Sequence, residues 1–402
     1  MTIAEIEIAL WPRGPNAQQE VTALLQHYHR ESKDIRAHAH FLDARDPWAS
    51  VSHTMTYQSG ADITEVGASW VKSIVATNSV RPFSTEELLS FGGPNAFVIP
   101  AWRSEKDKDD ETVYSIPCRA DARLVYYRRD LLAKAGINEE TAFSTPEKML
   151  QTLESLKRIG VQSPLIAPVA TQRFMNLSFV ASWVWSAGAD FIDADSRRVT
   201  FDQPDVFAGI ADYLRATSYM AREFHQLEPA ESDAEFCKGN AAVALSGPWL
   251  YFILQQQDEF AHVRANFGIA SPPGQACRGG THLVIWEHSK QEEAAFDFIR
   301  FLTSARVQSD LSGLVFALPA RLAAIQTTQY ADDPNYQKIV EIIHSGRSYG
   351  ASPLWSIVED RLSRLLVQVS AEYLEAPDID MDAFLSIRLK PLARLINITM
   401  EG

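Results

Sequence analysis

The run FCKGNAAVALSGPW, from Phe236 to Trp249, compresses a helix end, a buried strand and a helix start into one short segment. Residues 234–238 read as helix stopped by Gly239, where glycine accepts the backbone that ends a helix. Residues 241–245 are small or apolar throughout, as a strand covered on both faces requires. Ser246-Gly247-Pro248-Trp249 then turns into a new helix: Gly247 permits close backbone approach, and Trp249 stands at the start of that helix.

The same alternation extends outward in both directions. Residues 5–10 read as a strand ending at Trp11-Pro12, 16–30 as an amphipathic helix, 34–42 as a second strand, 46–57 as a second helix and 62–66 as a third strand, followed by helix through Trp70 to Val75. Strand and helix in this succession predict βαβ units and mostly parallel sheets flanked by helices. Residues 103–111 are a charged loop. Strands are expected at 113–117 and 123–127, a helix at 130–135 closed by Gly136, and another begun by Thr145-Pro146 and ended at Gly160. From 291 to 302 an apolar stripe recurs at Ala294, Ala295, Phe298, Ile299 and Leu302, which predicts one buried helix face. Beyond Pro319 the chain reads as mostly helical (336–343, 354–374, 381–399), with Pro391 expected to kink or interrupt the last helix.

Bulk properties narrow the function. A length of 402 residues exceeds one ordinary core and predicts two domains. The formal net charge of -14, with no isolated basic run, sets nucleic acid and anionic membrane aside as partners. No run of 18 apolar residues exists, so no membrane insertion is expected. The first residues carry neither a basic n-region nor an apolar h-region, so a signal peptide is read as removed or never present. Cys118, Cys237 and Cys277 are far apart without metal-ligand spacing, and neither metal nor cofactor is expected. The pairs His27/His29 and His38/His40 lack a completing ligand set and read as solvated surface. The 9 Trp are the informative excess, because several stand beside Gly, Pro or polar residues, as in a site that stacks flat apolar faces.

Several segments, in order, resemble the family 1 extracellular solute-binding proteins of bacterial ABC importers, to which maltose-binding protein is a distant relative. One is 117–132 (PCRADARLVYYRRDLL) closed by Ala135-Gly136-Ile137; a second is the opening run 236–249; a third extends from Gly279-Gly280-Thr281 through 294–304 (AAFDFIRFLTS) to Gln308; a short fourth is Leu318-Pro319-Ala320. The resemblance implies an α/β, two-lobe periplasmic-binding-protein fold, type II-like, with a helical C-terminal segment in the second lobe. It implies an N-terminal lobe of 1–114 with 266–318, a C-terminal lobe of 115–265 with 319–402, and hinge crossings near 114–118, 262–266 and 318–322. A cleft between lobes would close on one ligand. The implied role is capture of a carbohydrate, a mono- or oligosaccharide, by a periplasmic or cell-surface monomer that delivers it to permease subunits.

Candidate ligand contacts follow from the residues. Trp11 ends the first strand, where such sheets present their ligand edge, and reads as a sugar-stacking face or as packing on Pro12. Glu65 and Trp70 follow the third strand, as ligand contacts or as a satisfied helix start. Asp121, between Arg119 and Arg123, is a carboxylate suited to adjacent hydroxyls or to a surface ion pair; Arg119 either meets ligand or braces Asp121. Trp183 and Trp185 diverge on a helix, so one lines the cleft and the other is core, with Trp183 taken for the cleft. Asn176 is a weaker polar candidate. Trp249 is the leading aromatic. Gly280 and Thr281 would offer an amide and a hydroxyl, with His282 structural, and Trp355 after Pro353 is a candidate on the second lobe. No Walker A loop, GxSxG, HExxH or GxGxxG is present. Two rivals stay open: Asp121 and Glu65 as a glycosidase pair, and the same fold as a non-exported or sensor-linked receptor. The flanking arginines leave acidic sugars and phosphorylated polyols open as ligands.

Overall fold

The structure, a computed structural model, describes residues 3–12, 17–43, 46–98, 112–169, 173–193, 198–312, 316–350, 352–353 and 355–401. The expected charged loop 103–111 lies outside the described residues, as does Leu354. Strands are numbered in chain order: β1 Ala4–Leu10, β2 Ile35–Phe41, β3 Ile63–Gly67, β4 Ile116–Ala122, β5 Leu124–Arg128, β6 Leu165–Ile166, β7 Ile192–Asp193, β8 Arg198–Val199, β9 Val243–Ser246, β10 Phe267–Ala270, β11 Arg278–Ile285 and β12 Leu318–Pro319. The chain divides into two compact units, Met1–Asp121 with Arg278–Tyr336 and Ala122–Cys277 with Gln337–Gly402.

The first unit holds a six-stranded sheet in the order β12-β4-β11-β3-β1-β2. In β1 the face carrying Ile6, Ile8 and Leu10 enters the core, while on the opposite face Glu5 and Glu7 stay exposed and Ala9 is buried in a small cluster with Leu42 and Ala61. The core face meets Val21, Leu24 and Tyr28 of helix Ala17–Glu31 and the stripe Ala294, Ala295, Phe298, Ile299 and Leu302 of helix Glu292–Leu302. Tyr28 is a cross-brace here, packing edge-on against Phe298 with centroids 4.9 Å apart while its hydroxyl donates to Asp297 at 3.0 Å.

The second unit has a four-stranded sheet in the order β10-β5-β9-β6, and β7 pairs with β8. Its apolar core is dominated by helices Pro146–Arg158, Arg173–Ser186, Pro204–Thr217, Trp355–Glu375 and Met381–Glu401. Thr145 caps the first of these by accepting from the Lys148 amide at 3.2 Å, as its Thr-Pro start predicts. Asn397 fastens the last helix to β8, accepting from the Val199 amide at 2.8 Å and donating to its carbonyl at 3.2 Å. Cys118, Cys237 and Cys277 are free thiols, all buried.

Three expectations change. The sheets are mixed: β1 runs parallel to β2 and β3, but β11 is antiparallel to β3, β12 to β4, and β5 to both β9 and β10. Strands that carry the chain out of a unit and back into it run in opposite senses, which a pure βαβ reading omits. The chain passes between units at 121–122, 277–278 and 336–337, each later than the crossings that the resemblance implies. For the second, the cause is that Phe267–Ala270 pairs with β5 from Phe267↔Arg128 to Ala270↔Val125, which holds β10 in the second unit. Of the two outcomes expected at Pro391, interruption does not occur, because it lies inside one continuous helix, Met381–Glu401. Pro391 and Ile387, whose carbonyl the missing proline N–H leaves without its helical donor, both lie on the exposed face of that helix.

Asn176 is not a ligand contact but a core fastener. It is fully buried, donates to the Val169 carbonyl at 2.8 Å and to Ser370 at 3.1 Å, and accepts from the Tyr213 hydroxyl at 2.7 Å. Each buried group left without its partner costs about 1–3 kcal/mol. Asn176→Leu is therefore expected to lower unfolding free energy by at least ~2 kcal/mol, read by urea denaturation, and a variant as stable as the parent would contradict this role.

Candidate functional site

In the first unit the C-terminal ends of β1 and β3, the start of β11 and the end of β4 come together. Glu65, near the end of β3, is fully buried, and its carboxylate is the centre of this corner. The Trp11 amide donates to one oxygen at 3.0 Å; the Arg119 Nε, at 3.0 Å, and the Thr281 hydroxyl, at 2.5 Å, donate to the other. Cross-strand register explains Thr281, because Leu283 faces Glu65 and Thr281 faces Gly67, so 281 is a diagonal neighbour on the same sheet face. Burial opposes the charge on Arg119, but the Glu65 carboxylate more than offsets it, and its pKa lies above the usual arginine value. Gly280 is required here: its φ is +142°, and a Cβ would lie 2.0 Å from the Arg119 carbonyl oxygen. Glu65, Arg119 and Thr281 thus bind one another, whereas the sequence alone offers Glu65 and Thr281 to a ligand and leaves Arg119 between ligand and Asp121.

Beside this corner stands an aromatic cluster. Trp70 is 3% exposed and forms the floor. Half-buried Trp11 tilts against it with centroids 5.5 Å apart, and half-buried Trp48 meets it nearly edge-on at 5.2 Å. Sequence reasoning missed Trp48, although it carries the same signal as Trp11 and Trp249, a tryptophan beside proline at an element boundary. Asp46 caps its helix, Pro47–Tyr57, and places Trp48 in the first turn after β2. Asp121, at the end of β4, is partly exposed; it is not clasped by Arg119, which turns to Glu65. A cavity of about 420 Å³ between β1, β2 and this helix is lined by Ala9, His40, Ser50, His53, Thr54 and Thr64, among others, and by none of the expected contacts.

In the second unit Trp249 is partly exposed in the first turn of helix Pro248–Gln256. Its indole N–H donates to Asp233 at 2.7 Å, and Ser246 donates to the other oxygen of the same carboxylate at 2.7 Å. The Arg123 guanidinium lies over the indole at 5.0 Å and near Phe179 at 5.8 Å. Gly247 makes the fold-back possible, since a Cβ there would lie 2.2 Å from the indole, and the Tyr126 hydroxyl holds the Gly247 carbonyl at 2.9 Å. Burial pushes the Asp233 carboxyl up to about 6, against the lowering effects of its two hydrogen bonds and of Arg123. Asp233 escapes a sequence reading, in which a lone acid in a helix carries no signal.

Trp183 and Trp355 are corrected. Trp183 is fully buried in the core with Tyr213, because its position on helix Arg173–Ser186 faces the neighbouring helix rather than solvent. Trp355, 2% exposed, lies beneath Tyr349 with centroids 4.3 Å apart. The partly exposed ring is Tyr349, near Trp185, whose indole donates to Asp190 at 3.2 Å. Arg347 covers Trp185 at 4.8 Å and pairs with Asp190. Among the described residues no group of three or more His, Cys, Asp or Glu is placed to hold a metal ion, and no helix is long and apolar enough to cross a membrane.

Each unit thus offers partly exposed aromatic rings braced by an acid and an arginine of the same unit, a surface for stacking and hydrogen bonding. Among known proteins, a putative binding protein of Brucella abortus (strain 2308) is 20% identical over 342 residues, covering 80% of this chain and 79% of its own. An ABC transporter solute-binding protein from Thermotoga lettingae TMO, bound with alpha-D-tagatose, superposes with a TM-score of 0.80 at 16% identity, covering 97% of this chain and 99% of that one. Maltose-bound T. maritima MalE3 superposes with a TM-score of 0.79 at 18% identity, covering 97% and 100%. The family model for bacterial extracellular solute-binding proteins matches residues 42–338, and the chain belongs to that family.

Proposed function

We propose that this protein is the substrate-binding component of an ABC importer, working outside the cytoplasm as a monomer. It captures a neutral mono- or oligosaccharide and delivers it to membrane permease subunits without chemical change. The observation that carries the ligand class is internal charge compensation beside the tryptophans. Glu65 is bound by Arg119, Asp190 by Arg347, and Arg123 lies close enough to Asp233 to favour its ionised form. A charged ligand would have to compete with these partners, whereas a sugar brings an apolar ring face for the indoles and hydroxyls for Asp121. The tagatose and maltose held by the two structural neighbours support the same class. Trp11, Trp48 and Trp249 are the stacking residues in this reading, with Trp70 beneath the first two.

A thermal-shift screen of neutral sugars, uronates and polyol phosphates tests the ligand class, since a ligand that binds only the folded form raises Tm by mass action. Neutral sugars are expected to raise it and the charged compounds not; a response confined to charged compounds would refute the assignment. Incubation with the stabilising sugar should leave it chemically intact, and its cleavage would establish an enzyme instead.

Trp249→Ala and Asp121→Ala are each expected to weaken sugar binding by more than about tenfold while the protein stays folded, the scale expected when a ligand group enters the site without its partner. Titration calorimetry reads this directly. Unchanged affinity in both variants would sink the proposed contacts.

A further inference from the structure

Resting on the sugar-binding reading, we infer that Asp233 is a positioning residue for Trp249, fixing through its carboxylate the indole that meets the ligand. Three observations carry this. An indole N–H can only donate, so the orientation of Trp249 depends on what accepts from it, and the acceptor is Asp233 at 2.7 Å. The carboxylate is itself fixed by the Ser246 hydroxyl at 2.7 Å and is 6% exposed, so it cannot follow a displaced indole. The Arg123 guanidinium over the ring completes a sequence of anion, indole and cation, in which the anion polarises the N–H and strengthens the ring's hold on the cation. Protonating Asp233 removes the anion and loosens both interactions.

The charged and titratable groups facing Asp233 are few. Arg123 favours its ionised form. Cys237, one turn further along helix Pro229–Cys237, has its thiol pushed up by burial and by the charges of Asp233 and Glu259, so it stays neutral while Asp233 titrates. Ser246 and Trp249 do not titrate. With the Asp233 carboxyl at about 6, affinity should fall as pH drops through that value, because only the ionised fraction holds the indole in place. Stability should move the other way. A carboxyl that is harder to ionise folded than unfolded costs stability when ionised, and that cost disappears as pH falls from about 7 through about 6 toward about 4.

The test uses the full chain labelled with 5-fluorotryptophan, with Trp249→Phe identifying the Trp249 resonance among the 9 tryptophans. Without ligand, the wild-type resonance should inflect near pH 6 and the Asp233→Asn resonance should not. With maltose and D-tagatose as probes, the wild-type Kd should be about tenfold weaker at about pH 5 than at about pH 7.5, while that of Asp233→Asn holds constant. Over the same range the wild type should gain Tm relative to Asp233→Asn, whereas an acid with only a structural role would shift Tm and leave Kd flat. Ser246→Ala, which removes one hydrogen bond from the ionised carboxylate, should move the inflection to higher pH and serves if Asp233→Asn does not fold. A wild-type resonance without an inflection, or a pH-independent Kd in a protein whose indole does titrate, overturns the proposal. A titrating indole in a protein that binds neither sugar upholds the positioning role and counts against the ligand reading.

Discussion

The corner of the first unit depends on one buried anion. Glu65 draws donors from the residue after β1, from β4 and from β11, so a single carboxylate fixes strand ends that come from distant parts of the chain. Breaking a buried ion pair costs more than the pair contributes, because the surviving charge has no solvent to return to, typically about 3–5 kcal/mol. The requirement reaches into covalent structure: β11 can come against β4 only where residue 280 has no side chain. Trp11 takes its backbone position from the same carboxylate, and its ring then rests on Trp70.

The second unit repeats the logic with different parts. Asp233 replaces Glu65 as the buried acid, but its partners are an indole, a hydroxyl and a more distant guanidinium, and burial raises its carboxyl to about 6, so it takes up a proton in mild acid. A strongly paired acid makes a rigid corner; a weakly compensated one makes a corner that responds to its surroundings. In both, a buried acid holds a tryptophan in place, by its backbone amide in the first unit and by its indole N–H in the second.

Much of this is legible in the residues. The stripe Ala294–Ala295–Phe298–Ile299–Leu302 is the buried face of its helix, and the run 236–249 folds as helix, strand and helix, because local propensity, periodicity and turn chemistry agree there. What is not legible depends on partners remote in sequence. Periodicity cannot say that Phe267–Ala270 pairs back onto β5 and antiparallel to it, so it misplaces the sense of the strands, and the resemblance places the second crossing before this strand rather than after it. Helical spacing points Trp183 and Trp185 in different directions but cannot tell that both are buried. Arg119 sits two residues from Asp121 yet binds Glu65, 54 residues earlier, since strand pairing rather than sequence proximity decides its partner.

The three thiols have a practical consequence. Cys118, Cys237 and Cys277 are free and at most 5% exposed, and burial raises the pKa of Cys237 far beyond neutral pH, so the native fold shields its sulfur atoms from alkylating reagents. A cysteine introduced on the surface of either unit would then be the preferred site for a maleimide dye, with the native residues left in place. One such label on each unit converts the folded chain into a distance ruler without first stripping out its own cysteines.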